Sequence, residues 1–330
     1  MNPKIKLVIR CACNSLCGVL LLVSLSAPAQ NLFVASGNLG SFGKTPGTVF
    51  EFAPSGVQST FASVSPSPNG LAFDAAGNLF VTIGGGLTGT IDEFTPGGGE
   101  STFATGLLNP SALAFDRAGN LFVGSSGAAG RITEYTPGGV SSIFATGLAS
   151  VRGLAFDSAG NLFVTTASTF TGLPPSLGAG IIYEFAPGGV KSIFATGLLY
   201  PTGLAFDGKG DLFVASSAAG GVVDDAIYEY TPDGGRSTFA TVVKYPTALA
   251  FDSAGNLFVA TGTSVAGVGK GSIYEYTPGG VRSTFASGVN DPTALAFQGV
   301  TLPVPEPSAL GLLAACAIVL YGRRNKKNCQ

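Results

Sequence analysis

The chain has 330 residues, 45% of them hydrophobic and 11% charged, with 49 glycines, no histidine and no tryptophan. Its length allows one large domain or two ordinary ones, with ample core, and its low charge and mean hydropathy of +0.41 exclude a disordered chain. The missing histidine excludes a Ser-His-Asp triad, an imidazole base and histidine-liganded zinc. A formal net charge of −2 without a basic run in the body excludes nucleic acid as a partner.

In chain order, the first element is an address. Lys4, Lys6 and Arg10 precede an apolar run from Leu16 to Leu25, and Ala27-Pro28-Ala29 follows as a small-x-small cleavage site. This is the layout of a secretory signal peptide over residues 1–29, with cleavage expected after Ala29. Cys17 lacks a convincing lipobox before it and lies ahead of most of the apolar run.

The body, residues 30–302, is one motif repeated. Leu-Ala-Phe starts at Leu71, Leu113, Leu154, Leu204, Leu249 and Leu295. Asp follows in the first five copies and Gln298 in the sixth. Asn-Leu-Phe-Val starts at Asn31, Asn78, Asn120, Asn161 and Asn256, with Asp211 in the remaining copy. A third segment carries Glu51, Glu93, Glu134, Glu184, Glu229 and Glu275, and a fourth centres on Phe61, Phe103, Phe144, Phe194, Phe239 and Phe285. Each unit reads as four short strands, for example 202–206, 211–215, 226–231 and 235–240, bounded by Gly, Pro, Asp and Asn. Asp-x-x-Gly-Asn predicts a tight hairpin between the first two strands, and Pro-Gly-Gly predicts another between the last two.

Four strands in each unit of 40–50 residues predict an all-β propeller. The body opens on a second strand at Asn31 and closes on a first strand, Thr293–Phe297. Pairing those halves gives six blades of four antiparallel strands and removes the exposed edges of an open sheet.

This unit, Gly-Leu-Ala-Phe-Asp-x-x-Gly-Asn-Leu-Phe-Val followed by Ile-Tyr-Glu-Tyr-Thr-Pro-x-Gly-Gly, resembles NHL-type propeller repeats. It is also similar to the streptogramin-lyase and gluconolactonase/regucalcin group, over nearly all of residues 31–298. The resemblance implies the fold and leaves activity open.

The last element is a second address, over 303–330. Pro305-Glu306-Pro307 precedes an apolar run, 309–321, and then Arg323, Arg324, Lys326 and Lys327. The short span with a basic end is a stop-transfer layout. The order resembles the PEP-CTERM sorting signal. That resemblance implies export, recognition by an exosortase-type protease, a transient inner-membrane anchor, and a final place at the cell surface or in a biofilm matrix. All five cysteines (11, 13, 17, 316 and 329) lie in the two addresses, so the body needs no disulfides. Seven basic residues and Glu306 lie there too, which leaves the body at −8.

Candidate function sits where the six first strands enter the central channel. The residues there are Asn69, Ser111, Arg152, Thr202, Thr247 and Thr293. The resembled lactonases imply a divalent ion held by Glu, Asp and Asn, and the resembled lyases imply a catalytic histidine. This ring has no carboxylate and the chain has no histidine, so no catalytic residue carries over, and no metal or cofactor is expected. Arg152 reads either as an anchor for an anionic sugar or carboxylate or as a solvated surface arginine. Asp224 and Asp225, in a variable loop, read as a cation or acid–base pair or as solvated charge. Tyr200 and Tyr245, each before a proline, read as sugar-stacking or packing residues. Gly84-Gly85-Gly86 lacks the Lys and helix of a phosphate loop. Two functions follow. One is an exported binding or structural module whose partner is an exopolysaccharide or surface protein. The other is a lactonase- or lyase-like enzyme with a non-standard site.

Overall fold

The computed structural model describes residues 30–37, 46–84, 88–126, 130–167, 179–217, 225–241, 243–262 and 269–299. The signal peptide, the sorting tail and most of the variable loops, Asp224 among them, lie outside these residues. Among the described residues, twenty-four strands make six four-stranded antiparallel sheets. Blade 1 contains β1 (Leu32–Ser36), β2 (Gly47–Phe52) and β3 (Gln58–Val64). Blade 2 has β4 (Pro68–Phe73), β5 (Leu79–Ile83), β6 (Gly89–Phe94) and β7 (Glu100–Leu107). Blade 3 has β8 (Pro110–Phe115), β9 (Leu121–Ser125), β10 (Gly130–Tyr135) and β11 (Ser141–Leu148). Blade 4 has β12 (Ser150–Phe156), β13 (Leu162–Ala167), β14 (Ala179–Phe185) and β15 (Lys191–Leu199). Blade 5 has β16 (Pro201–Phe206), β17 (Leu212–Ser216), β18 (Ala226–Tyr230) and β19 (Arg236–Thr241). Blade 6 has β20 (Pro246–Phe251), β21 (Leu257–Thr261), β22 (Lys270–Tyr276) and β23 (Arg282–Asn290). The last strand, β24 (Pro292–Phe297), returns to blade 1 and pairs with β1, setting Leu32 opposite Phe297 and Val34 opposite Leu295. The closure expected from the unpaired ends is the observed one.

The blades are glued by aromatics. Each blade interface holds four rings: second-strand and fourth-strand Phe of one blade, first-strand Phe and third-strand Phe or Tyr of the next. Between blades 4 and 5, Phe163 meets Phe194 and Phe206 edge-on with centroids 5.0 Å apart, and Phe194 meets Tyr230 at 5.5 Å. The same group closes the circle between blades 6 and 1, where Phe258 meets Phe285 and Phe297, and Phe52 meets Phe285. Edge-to-face pairs of this kind add about 0.5–1.5 kcal/mol each beyond the area they bury. This is why phenylalanine, at 24 copies, dominates the aromatic content.

The hairpins follow the predicted chemistry. In four blades Asp accepts the backbone N–H and the side-chain amide of the Asn four residues on, as in Asp157–Asn161 at 2.8 Å for both bonds. The intervening glycine takes positive φ, +88° at Gly160, which a side chain resists. Because these hairpins and the Pro-Gly turns join strands at the same end, they share one face of the disc, here the turn face. Gly160 accordingly lies beside Pro187 of the other turn. The ends of the second strands, the starts of the third strands and the corners entering each new blade share the opposite face, the loop face.

Candidate functional site

The inner strands share one irregularity. In each, the ladder to the second strand shifts register next to the predicted ring residue. Pro68 and Gly70 pair with Ile83 and Thr82, and Asn69 is skipped. Ser111, Arg152, Thr247 and Thr293 are skipped in the same way, as is Thr202 together with Gly203. Each ring residue is thus the extra residue of a β-bulge, a device that takes a side chain out of the ladder and re-aims it. The bulges bring all six to one level at the loop-face mouth.

Five of the six spend their donors on the neighbouring blade. Asn69 donates to the Pro110 carbonyl of blade 3 (3.2 Å) and also, within its own blade, to the Gly84 carbonyl (2.8 Å). Ser111 donates to Val151 (2.8 Å), Thr202 to Pro246 (2.9 Å), Thr247 to Pro292 (2.7 Å) and Thr293 to Pro68 (3.1 Å). These bonds stitch each inner strand to the next. They satisfy carbonyls on the free channel-side edge, which no further strand could cover. The step from blade 4 to blade 5, where Arg152 stands in place of a hydroxyl, is stitched from β13 instead: Thr165, fully buried, donates to the Thr202 carbonyl at 2.7 Å. Sequence reasoning missed this substitute. Its signal was a second-strand Thr, shared with Thr82, which holds the Gly70 N–H at 2.7 Å.

Arg152 is exposed, whereas the other five ring residues are half-buried. Among the described residues no hydrogen bond or ion pair holds its guanidinium. The channel wall crowds it enough for desolvation to lower its pKa from the ordinary arginine value, partly offset by the nearby Tyr200. It remains a cation at any physiological pH. Three other cations of the body are occupied: Lys191, Arg236 and Arg282 lie over Tyr183, Tyr228 and Tyr274 at 5.0–5.2 Å.

The corners feeding the ring are unusual. Asn109, Tyr200, Tyr245 and Asp291, each before a proline, take φ of +41°, +40°, +49° and +31°. The left-handed turn directs each carbonyl back to the strand-2 end of its own blade, as in Gly262 N–H to Tyr245 (2.9 Å) and Ser217 N–H to Tyr200 (3.3 Å). These tyrosines are corner-formers, and Tyr200 keeps 37% of its surface exposed. Asp225 accepts the Tyr245 N–H at 2.6 Å and so braces that corner. Asp291 is buried, and desolvation raises its carboxyl above the ordinary range.

The donor set does not fit a divalent cation. No three of His, Cys, Asp and Glu come together among the described residues. The ring holds no carboxylate, its hydroxyl protons are committed to carbonyls, and a guanidinium stands among them. Oxygen-liganded cations need several free oxygens, usually carboxylates. The far end of the channel, at the turn face, contains a cavity of about 690 Å³ ringed by Phe73, Phe115, Phe156, Phe206, Phe251 and Phe297. Sequence reasoning placed function with the loops and did not anticipate this cavity, because its lining is the packing motif itself.

Residues 303–327 match the PEP-CTERM protein-sorting motif. No curated protein sequence matches the chain. Among solved structures, it is similar to a gluconolactonase from Xanthomonas campestris, with TM-score 0.58 and 18% identity over 81% of this chain and 91% of that one. A protein of unknown function from Bacteroides caccae gives 0.55 and 17% identity over 83% of this chain and all of that one. A streptogramin B lyase gives 0.52 and 13% over 81% and 98%. At these identities the likeness establishes the fold. The chain is a six-bladed β-propeller of the fold shared with gluconolactonases and streptogramin B lyases, carrying at its C-terminus a sorting motif that implies export and recognition by an exosortase.

Proposed function

We propose that the protein is an exported binding module of the cell surface or extracellular matrix, and that the loop-face channel mouth takes an anionic group on Arg152. The uronic-acid carboxylate of an exopolysaccharide is the ligand class that fits. The observation carrying this reading is Arg152 itself. It is the one member of a ring of stitching residues that gives up the stitch, and it stands as a cation in a body of charge −8. A guanidinium offers a bidentate fork to a carboxylate, and Tyr200 beside it offers a face for a sugar ring. The ring's chemistry supports binding over turnover, since it supplies neither a base nor an electrophile. Titration of the signal-free protein with oligogalacturonate tests this. Saturable binding that weakens with salt and is lost in Arg152→Thr supports the proposal. Hydrolysis of a lactone or cleavage of the oligosaccharide by the unaltered protein would overturn it in favour of an enzyme.

A further inference from the structure

The two chain ends of the propeller leave from the same place. Asn31 enters β1 and Gln298 leaves β24 at the turn face, where the Gln298 N–H bonds the Asn31 carbonyl. Gln30 donates its amide to the Gln298 carbonyl (3.0 Å) and accepts the Ser253 N–H of a turn-face hairpin (2.9 Å). The apolar run of the sorting tail begins at residue 309, ten residues beyond Gly299. Ten residues at full stretch span at most about 33–36 Å. To bring the loop face against a membrane, that tether would have to cross the blade and climb its outer strand. The path is three inter-strand spacings plus the seven residues of β3, about 38 Å in all.

The turn face also carries side chains the fold does not use. Six equivalent turns close with the same backbone bonds, from Ala53–Val57 to Thr277–Val281. In two of them the last residue is Gly99 or Gly235, and the turn forms identically, so no turn requires a side chain there. In the other four it is valine: Val57, Val140, Val190 and Val281 are 67–72% exposed. Valine side chains held at the rim of a disc, repeated on four blades around a phenylalanine-ringed opening, would shed water on entering a lipid interface.

We propose that the turn face is a membrane-docking surface, on which the four valines enter the lipid interface while the sorting tail is still attached, leaving the loop face and Arg152 turned outward. This rests on the membrane-anchored stage implied by the sorting motif and is independent of what Arg152 binds. The test uses the full chain without its signal peptide, with Cys316 and Cys329 replaced by serine, in phosphatidylcholine vesicles. A single cysteine, Val190→Cys on the turn face or Leu108→Cys on a loop-face corner, carries an environment-sensitive fluorophore, and doxyl-lipids serve as quenchers. The expected result is quenching at position 190 at least threefold stronger than at 108. Adding Val57→Asp, Val140→Asp and Val281→Asp should bring position 190 to the level of 108 without changing the melting curve. Equal quenching at both positions, stronger quenching at 108, survival of the signal in the aspartate variant, or shielding that requires a membrane protein in the vesicles would each overturn the proposal.

Discussion

Blade 5 contains a natural defect, and correcting it tests the energetics of the repeat. In four hairpins the Asn side chain donates to the Asp that opens the turn, at 2.8–2.9 Å. Blade 5 has Asp211 at the Asn position. The backbone bond survives, Asp211 N–H to Asp207 at 2.9 Å, but the side-chain bond is replaced by two facing carboxylates. Desolvation first, then Asp207 and Glu229, raise the Asp211 carboxyl above its ordinary value. An acid whose native pKa is raised binds its proton more tightly folded than unfolded. It therefore destabilises the fold at pH above the native pKa, and the penalty fades as pH falls to the unfolded value. Asp211→Asn removes the repulsion and restores the missing bond. A hydrogen bond to a charged group is worth about 1.5–3 kcal/mol when sheltered, and half-exposure here reduces the gain to about 1 kcal/mol. For a domain of this size that is about 2–4 °C in melting temperature. Thermal melts of both proteins from pH 7 to pH 3 measure it. The gain should be present at pH 7 and shrink on acidification. No gain at neutral pH, or one undiminished at pH 3, would refute the reasoning.

Three further outcomes are expected. Phe163→Ala, which removes a 5%-exposed ring from the interface between blades 4 and 5, should cost about 3–5 kcal/mol in urea unfolding. Removing Thr293–Gln298 should leave β1 without its inner partner, lower the melting temperature sharply and promote association through the open edge, seen by sedimentation; an unchanged melt would contradict closure by β24. Arg152→Thr should leave stability unchanged or raised by up to about 1 kcal/mol, because threonine can rejoin the stitching ring while Thr165 keeps its bond. The same variant should lose anion binding, a split between stability and function that a purely structural arginine would not produce.

The architecture was legible because every constraint repeats. Asn-Leu-Phe-Val and Leu-Ala-Phe mark strands by their apolar content, and the unmatched halves at Asn31 and Thr293 announce the closure. The Asp-x-x-Gly-Asn turns carry their own hydrogen-bond chemistry, so strand limits shift by only a residue: 202–206 was expected where Pro201–Phe206 is observed. The site was legible as a column of residue types but not as a set of bonds. Whether Thr247 faces a ligand or the Pro292 carbonyl depends on the bulge and on how closely the blades approach. That closeness is set by small residues such as Gly203, where a Cβ would lie 2.8 Å from the Ala248 Cα. Thr165 reads like any other strand residue until blade 5 is packed against it. Asp225 reads as half of a charged pair, and only the fold assigns it to the Tyr245 backbone.

The proposed role of Arg152 as the anion-binding group of the loop-face mouth is tested most directly by a crystal structure of the propeller with a bound uronic-acid oligosaccharide. The expected result is a carboxylate paired with the Arg152 guanidinium, with a sugar ring against Tyr200. An oligosaccharide seated in the phenylalanine-ringed cavity of the turn face, with Arg152 untouched, would contradict it.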